Sequence, residues 1–283
     1  MYLVKDIKVS EGGVLKIYIR TTYDCGWVMQ VELRYPGNYG APGRKREGRK
    51  ERTPEQIERQ NETNRIRRLQ RIILANFRPG KSWHLTLNYR KDVRPRDAET
   101  AKKLLSKFLA QIRKAYKSAG QDFKWIAITE YGKKGQALHH HLIVEDIDGF
   151  PVQKLVKQYW THGNTFWSDL YEDGAMEQLA SYMVKMETKT GPDGKKITGT
   201  RYTHSRNNLI IPQPERQTMR RRRWPESPFV PKGWELIKDT LYDGENPVTG
   251  YPYRHYSLRR ITKKGEDRYA GFHLSRKRHK GSG

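Results

Sequence analysis

Between Trp83 and Tyr89 apolar and polar side chains alternate: Trp83, Leu85, Leu87 and Tyr89 against His84, Thr86 and Asn88. A period of two is that of a half-buried strand. The period then lengthens. Over residues 97–118, Leu104, Leu105, Phe108, Leu109, Ile112 and Tyr116 fall on one helical face. Phe123 to Thr129 and Leu138 to Val144 read as strands again, joined by a turn at Lys133-Lys134-Gly135. Gln153 to Trp160 predicts a short helix. Residues 174–188 predict a clearer one, with Met176, Leu179, Ala180, Met183 and Val184 at helical spacing. The order is β-α-β-β-α, with one more strand expected later. The strand-helix-strand portion needs a crossover, whereas the two strands around Lys133 make an antiparallel hairpin. The expected fold is α+β: an antiparallel-rich central sheet with helices packed on it, in a ferredoxin-like order.

The flanks carry weaker patterns. Val14 to Ile19 and Trp27 to Val31 read as edge strands or a hairpin around the EGG at 11–13. Arg34 to Arg52 is rich in Gly, Pro, Lys and Arg and reads as a flexible basic loop. Thr53-Pro54-Glu55 starts a helix, since Thr caps well and Pro is tolerated at the first helical position. That helix is crowded by Arg59, Arg65, Arg67, Arg68 and Arg71 and ends near Asn76. Beyond residue 190, Ser205 to Pro214 reads as a strand-like segment ended by prolines. Residues 233–260 read as a hairpin with turn signals at Asp243-Gly244 and Thr249-Gly250, and the basic tail as disordered. Three parts are expected: 1–79 with N-terminal strands, basic loop and arginine-rich helix; 80–215 as the main domain; 216–283 as a basic C-terminal extension.

Composition narrows the function. Among 283 residues, 56 Lys and Arg stand against 31 Asp and Glu, a net charge of +25. Such an excess asks for a polyanion, and nucleic acid is the strongest candidate, because basic side chains displace counterions condensed on phosphates. The single cysteine, Cys25, allows neither an internal disulfide nor a cysteine-based zinc finger. No apolar run reaches the ~18–20 residues that span a membrane, and the opening MYLVKDIK is no signal peptide. A cytoplasmic protein without a membrane partner is expected.

The chemistry-bearing segment is Glu130, the lysine-rich turn, and His139-His140-His141. On a strand, residues two apart share a face, so His139 and His141 point one way and His140 the other, with Leu138, Leu142 and Val144. Two neutral imidazoles on one strand can grip a divalent metal. A hairpin folded at Lys133–Gly135 brings Glu130 beside them as a third ligand and leaves coordination positions open. Downstream, Tyr182-Met183-Val184-Lys185 places Tyr182 about 60° from Lys185 on a helix and roughly 130° from the apolar stripe. A tyrosyl oxygen can attack a phosphodiester when a metal withdraws charge from it, and a lysine one turn away can stabilise that charge.

These motifs resemble those of the HUH endonuclease superfamily, specifically the single-tyrosine rolling-circle replication initiators of bacterial plasmids, phages and integrative elements. Trp83-His84-Leu85-Thr86-Leu87 is similar to the first motif, His139-His140-His141 to the His-hydrophobe-His motif, and Tyr182 to Lys185 to the tyrosine motif. GNYGAPGRKR upstream, and Tyr202 to Leu209 and Gly250 to Tyr256 downstream, extend the likeness over roughly 35–260. Two departures stand out: the middle hydrophobe is His140, and Met186 sits where two-tyrosine members carry a second tyrosine. The resemblance implies site- and strand-specific nicking of single-stranded or stem-loop origin DNA. Mg or Mn would be held by Glu130, His139 and His141. Tyr182 would be the nucleophile that forms a 5′-phosphotyrosine, and Lys185 would neutralise charge beside it. Host helicase and polymerase are further candidate partners.

Arg44, Arg46 and Arg49 in the basic loop, Arg206 and Asn207, and the run Arg220, Arg221, Arg222, Arg223 are candidate DNA contacts, since arginines suit backbone phosphates. Two readings compete with the initiator. One is a conjugative relaxase or single-tyrosine transposase with the same chemistry. The other is a non-catalytic nucleic-acid-binding protein, which would display aromatics rather than His and Glu on its sheet.

Overall fold

The computed structural model describes residues 17–35, 53–132, 137–146, 151–170, 173–186, 202–206, 208–221, 223–246 and 251–262. In chain order these contain β1 (Tyr18–Asp24), β2 (Val28–Arg34), α1 (Pro54–Asn76), β3 (Ser82–Asn88), α2 (Ala98–Ser118), β4 (Trp125–Tyr131) and β5 (Leu138–Glu145). They continue with α3 (Val152–Tyr159), β6 (Thr165–Asp169), α4 (Glu177–Met186), β7 (Thr203–His204), β8 (Glu215–Met219), β9 (Trp234–Glu245) and β10 (Pro252–Arg260). The fold is α+β, with two five-stranded antiparallel sheets. The chain divides into two compact units, at Asn61/Glu62 and again at Ile211/Pro212.

In the unit that follows Glu62 the strand order is β6-β3-β5-β4-β7. Both β3 and β4 pair antiparallel with β5 between them, so they run parallel to each other and α2 is their crossover. Asp97 caps α2, its Oδ1 accepting from the Thr100 backbone N–H at 2.7 Å. The apolar stripe of α2 (Leu105, Phe108, Leu109, Ile112, Tyr116) is buried with Leu85, Leu87, Ala127, Leu142 and Val144 of the sheet and Val152, Leu155 and Val156 of α3. Each such Leu, Ile or Phe contributes about 1.5–3 kcal/mol relative to exposure. Helices cover this face of the sheet; the other face carries the alternate residues, His84, Thr86, Glu130, His139 and His141 among them.

Several expectations change here. The first hairpin joins β1 to β2 through Cys25–Trp27, where the Cys25 N–H bonds the Val28 carbonyl and Asp24 Oδ1 accepts from Gly26 N–H; the EGG segment lies outside the described residues. Ser205 to Pro214 is not a strand. Only Thr203 and His204 pair with β4. Prolines at 212 and 214 lack N–H donors, and a side chain serves Ile210 instead: Asn76 Oδ1 accepts from its N–H and Asn76 Nδ2 donates to its carbonyl, both at 2.7 Å. The helix expected from 174 begins at Glu177, after a 3-10 turn over Asp173–Met176. Ala175 and Met176 take φ of 51° and 59°, which no α-helix accommodates. Asp243-Gly244 is no turn. Both lie in β9, opposite Arg254 and Tyr253, and a side chain on Gly244 would meet the Tyr242 hydroxyl at 2.9 Å. The 36–52 portion of the basic loop, Lys133-Lys134-Gly135, Thr249-Gly250 and the tail lie outside the described residues.

The other unit is a sheet of order β8-β1-β2-β10-β9, drawn from both ends of the chain. Tyr18, Val31, Leu33, Tyr35, Tyr256 and Leu258 form its core, with Trp224 and Trp234 packed against it.

Candidate functional site

Hairpin register builds the site. β4 and β5 set Glu130 opposite His139, and β3 and β5 set Thr86 opposite His141. Glu130 Oε1 lies 2.7 Å from His139 Nε2 and 3.1 Å from His141 Nε2. The ligand atoms of these three side chains all lie within 4.8 Å of one another. Glu130 is 1% exposed, and both imidazoles are largely covered. Burial alone would raise the carboxyl's pKa; the hydrogen bonds and charges of His139 and His141 outweigh it and bring Glu130 down to about 2. The group is thus an anion whose counter-charge is supplied at one point.

Hydrogen-bond partners on the far side of each ring fix which nitrogen faces Glu130. His139 Nδ1 lies 3.2 Å from the Ala137 carbonyl, which can only accept, so Nδ1 carries hydrogen. His141 Nδ1 lies 3.2 Å from Thr86 Oγ1 and 3.3 Å from His84 Nε2. The Ser168 hydroxyl donates to the His84 carbonyl at 3.3 Å, and its oxygen therefore accepts from His84 Nδ1–H at 3.2 Å. That leaves His84 Nε2 as an acceptor for His141 Nδ1–H. Burial, then the charge of His141, lowers the His84 pKa to about 4, in keeping with a neutral ring. Both ligand histidines thus direct Nε2 at the carboxylate, the arrangement a metal-binding imidazole needs. Two imidazoles and a carboxylate suit a divalent cation, which would replace the protons bridging Nε2 and Oε1.

His140 is a different residue altogether. It is fully buried on the helix-covered face, with the Tyr89 hydroxyl 2.6 Å from Nε2 and the Thr129 hydroxyl 2.9 Å from Nδ1. Both nitrogens are occupied. Burial, with the charges of His139, His141 and His162, holds its pKa down at about 3.

Tyr182 projects from α4 over this centre. Its ring is 5.5 Å from that of His141 and 6.2 Å from that of His84, edge-on to both, and it is 45% exposed. Partial burial, then the charge of Glu130, raises its pKa. Neutralising Glu130 therefore favours the phenolate. Lys185 lies in the same helix, but its side chain is outside the described set.

The candidate DNA contacts are dispersed. Arg206 is exposed just after β7; Arg220, Arg221 and Arg223 are exposed after β8, in the other unit. Arg44, Arg46, Arg49, Asn207 and Arg222 lie outside the described residues. Sequence reading passed over His84 and Ser168 as parts of the site, although His84 shares strand parity with Thr86.

Residues 82–190 match a family model of replication-associated proteins, the ORF2 group. The matched stretch runs from β3 through α4 and contains Glu130, His139, His141 and Tyr182. It supports a role in DNA replication. No curated protein and no solved structure matches the chain. Among the described residues, no helix is long and apolar enough to cross a membrane.

Proposed function

We propose that the protein initiates rolling-circle replication by nicking single-stranded or stem-loop origin DNA in the cytoplasm. Residues 80–215 would carry the chemistry, and the basic segments outside them would hold the phosphate backbone. The observation that carries this reading is the ring of Tyr182, exposed and 5.5 Å from that of His141, beside a buried Glu-His-His cluster.

Mg or Mn held by Glu130, His139 and His141 would supply Lewis-acid charge to the scissile phosphate. Tyr182 loses its phenolic proton and its oxygen attacks phosphorus. The bond to the 3′ oxygen breaks, and that oxygen leaves as a 3′-hydroxyl after taking up a proton. The 5′ end remains as a phosphotyrosine ester, so one phosphodiester has been exchanged for another and a later 3′-hydroxyl can reverse the step without ATP. Lys185, about one helical turn from Tyr182, would offset phosphate charge. Thr86, His84 and Ser168 keep His141 in its binding tautomer.

The test is an SDS-resistant adduct between the protein and labelled stem-loop DNA in the presence of Mn or Mg. The wild type should form it, and chelator and Tyr182→Phe should each abolish it. An adduct that survives Tyr182→Phe overturns the nucleophile assignment, and one indifferent to chelator overturns the metal.

A further inference from the structure

Strand β6 is the edge of the sheet next to β3, with Phe166 opposite Thr86, Trp167 opposite Leu85 and Ser168 opposite His84. Directly opposed residues share a face. Trp167 therefore points to the helix-covered side, where it packs on the core. Phe166 stands on the same face as Thr86, His84 and His141, and 65% of it is exposed. A polar side chain would satisfy that position, as Ser168 does two residues on. A lone exposed apolar residue is ordinary on a protein surface; this one is singled out by its place. Thr86, its cross-strand partner, is hydrogen-bonded to the ligand His141, and Tyr182 sits over His84 and His141 at the β3 side of the centre. Phe166 lies two strand spacings from His141, about 10 Å. That distance corresponds to roughly three stacked steps of ~3.4 Å along a nucleic-acid strand.

We propose that Phe166 is a stacking platform for a nucleobase of the single-stranded DNA whose phosphate sits at the Glu130–His139–His141 centre. This rests on the nickase reading for its ligand and adds a base-binding subsite to it. A phenyl face accepts any base, so the contact gives affinity and holds the strand's direction past Tyr182 without reading sequence. The chain's charge of +25 provides the complementary pull on the phosphates.

The full-length protein is titrated, by fluorescence anisotropy, into labelled oligothymidylate of about 20 nucleotides and into an abasic strand with the same phosphates. Phe166→Ala should weaken binding to oligothymidylate about 5- to 100-fold, leave the abasic strand within about 2-fold, and leave the salt slope unchanged. Phe166→Trp should restore base-dependent binding. Equal binding of oligothymidylate by Phe166→Ala and wild type overturns the proposal, as does a matching loss on both strands. The adduct assay separates the two readings. If the wild type forms adduct while Phe166→Ala is neutral, the stacking subsite falls alone. If no adduct forms yet Phe166→Ala loses base-dependent binding, the subsite stands and the nickase falls.

Discussion

The imidazoles of His84 and His141 lie within 9° of parallel, centroids 5.3 Å apart, with Nε2 of the first 3.3 Å from Nδ1 of the second. His141 has two acceptors on that side, His84 and Thr86, so neither is indispensable alone. His84→Ala and Thr86→Ala should each weaken Mn affinity about 10-fold, and together about 100-fold. Ser168→Ala should have a smaller effect in the same direction, since it frees His84 to adopt the other tautomer. Isothermal titration with Mn measures all four variants.

The three adjacent histidines should separate by parity. His139→Ala, His141→Ala and Glu130→Gln each remove a donor atom and should lower Mn affinity at least about 100-fold, beyond the usual effect of an outer partner. His140→Ala should leave affinity nearly unchanged. It should instead destabilise the fold by about 1–3 kcal/mol, because the Tyr89 and Thr129 hydroxyls lose their buried partner. Metal titration paired with urea unfolding reads both effects.

Acid should destabilise the metal-free protein. His140 and His84 have folded pKa values of about 3 and about 4, against 6.5 for the free group. Between those values the unfolded chain binds protons that the folded chain refuses, so stability falls as pH drops through 6.5 and goes on falling to about 4. Glu130, lowered from 4.5 to about 2, adds a loss of the same sign below pH 4.5. Each group contributes a slope of at most about 1.4 kcal/mol per pH unit. Urea unfolding across that range, with chelator, should show a shallower slope for His140→Gln than for the wild type.

Gly163 joins α3 to β6 where the loop runs against the end of β3: Asn88 N–H bonds the Asn164 carbonyl and Arg90 N–H the His162 carbonyl, each at 2.9 Å. A Cβ at 163 would collide with the Asn88 carbonyl and reach 2.9 Å from Arg90 N. Those are backbone atoms and cannot swing aside. Gly163→Ala should cost about 1–3 kcal/mol. It should also lower Mn affinity, since Asn88 is paired with His139. Thermal unfolding and Mn titration test this.

What was legible in the sequence was what has a period. The alternation from Trp83 gave β3, the stripe of α2 gave the crossover, and strand parity split His139 and His141 from His140. Tyr182 was legible as the residue off its helix's apolar stripe. Less local features were not. β6, TFWSD, has adjacent aromatics on opposite faces and no alternation to detect, so Phe166 and Ser168 had no address. Pairing of β2 with β10 joins segments far apart in the chain and leaves no local trace. Gly244 looked like a turn because a glycine that makes room for the Tyr242 ring has the same letter as one that bends the backbone.

All three ligands come from one hairpin, Glu130 to His141, while the nucleophile arrives on a helix beyond a further helix and strand. Closing that short loop needs little of the chain to be ordered first. Metal capture and bond cleavage therefore depend on different extents of folding. A lesion that loosens α4 would leave a protein that still loads its cation and still holds DNA, yet occupies its origin without ever opening it.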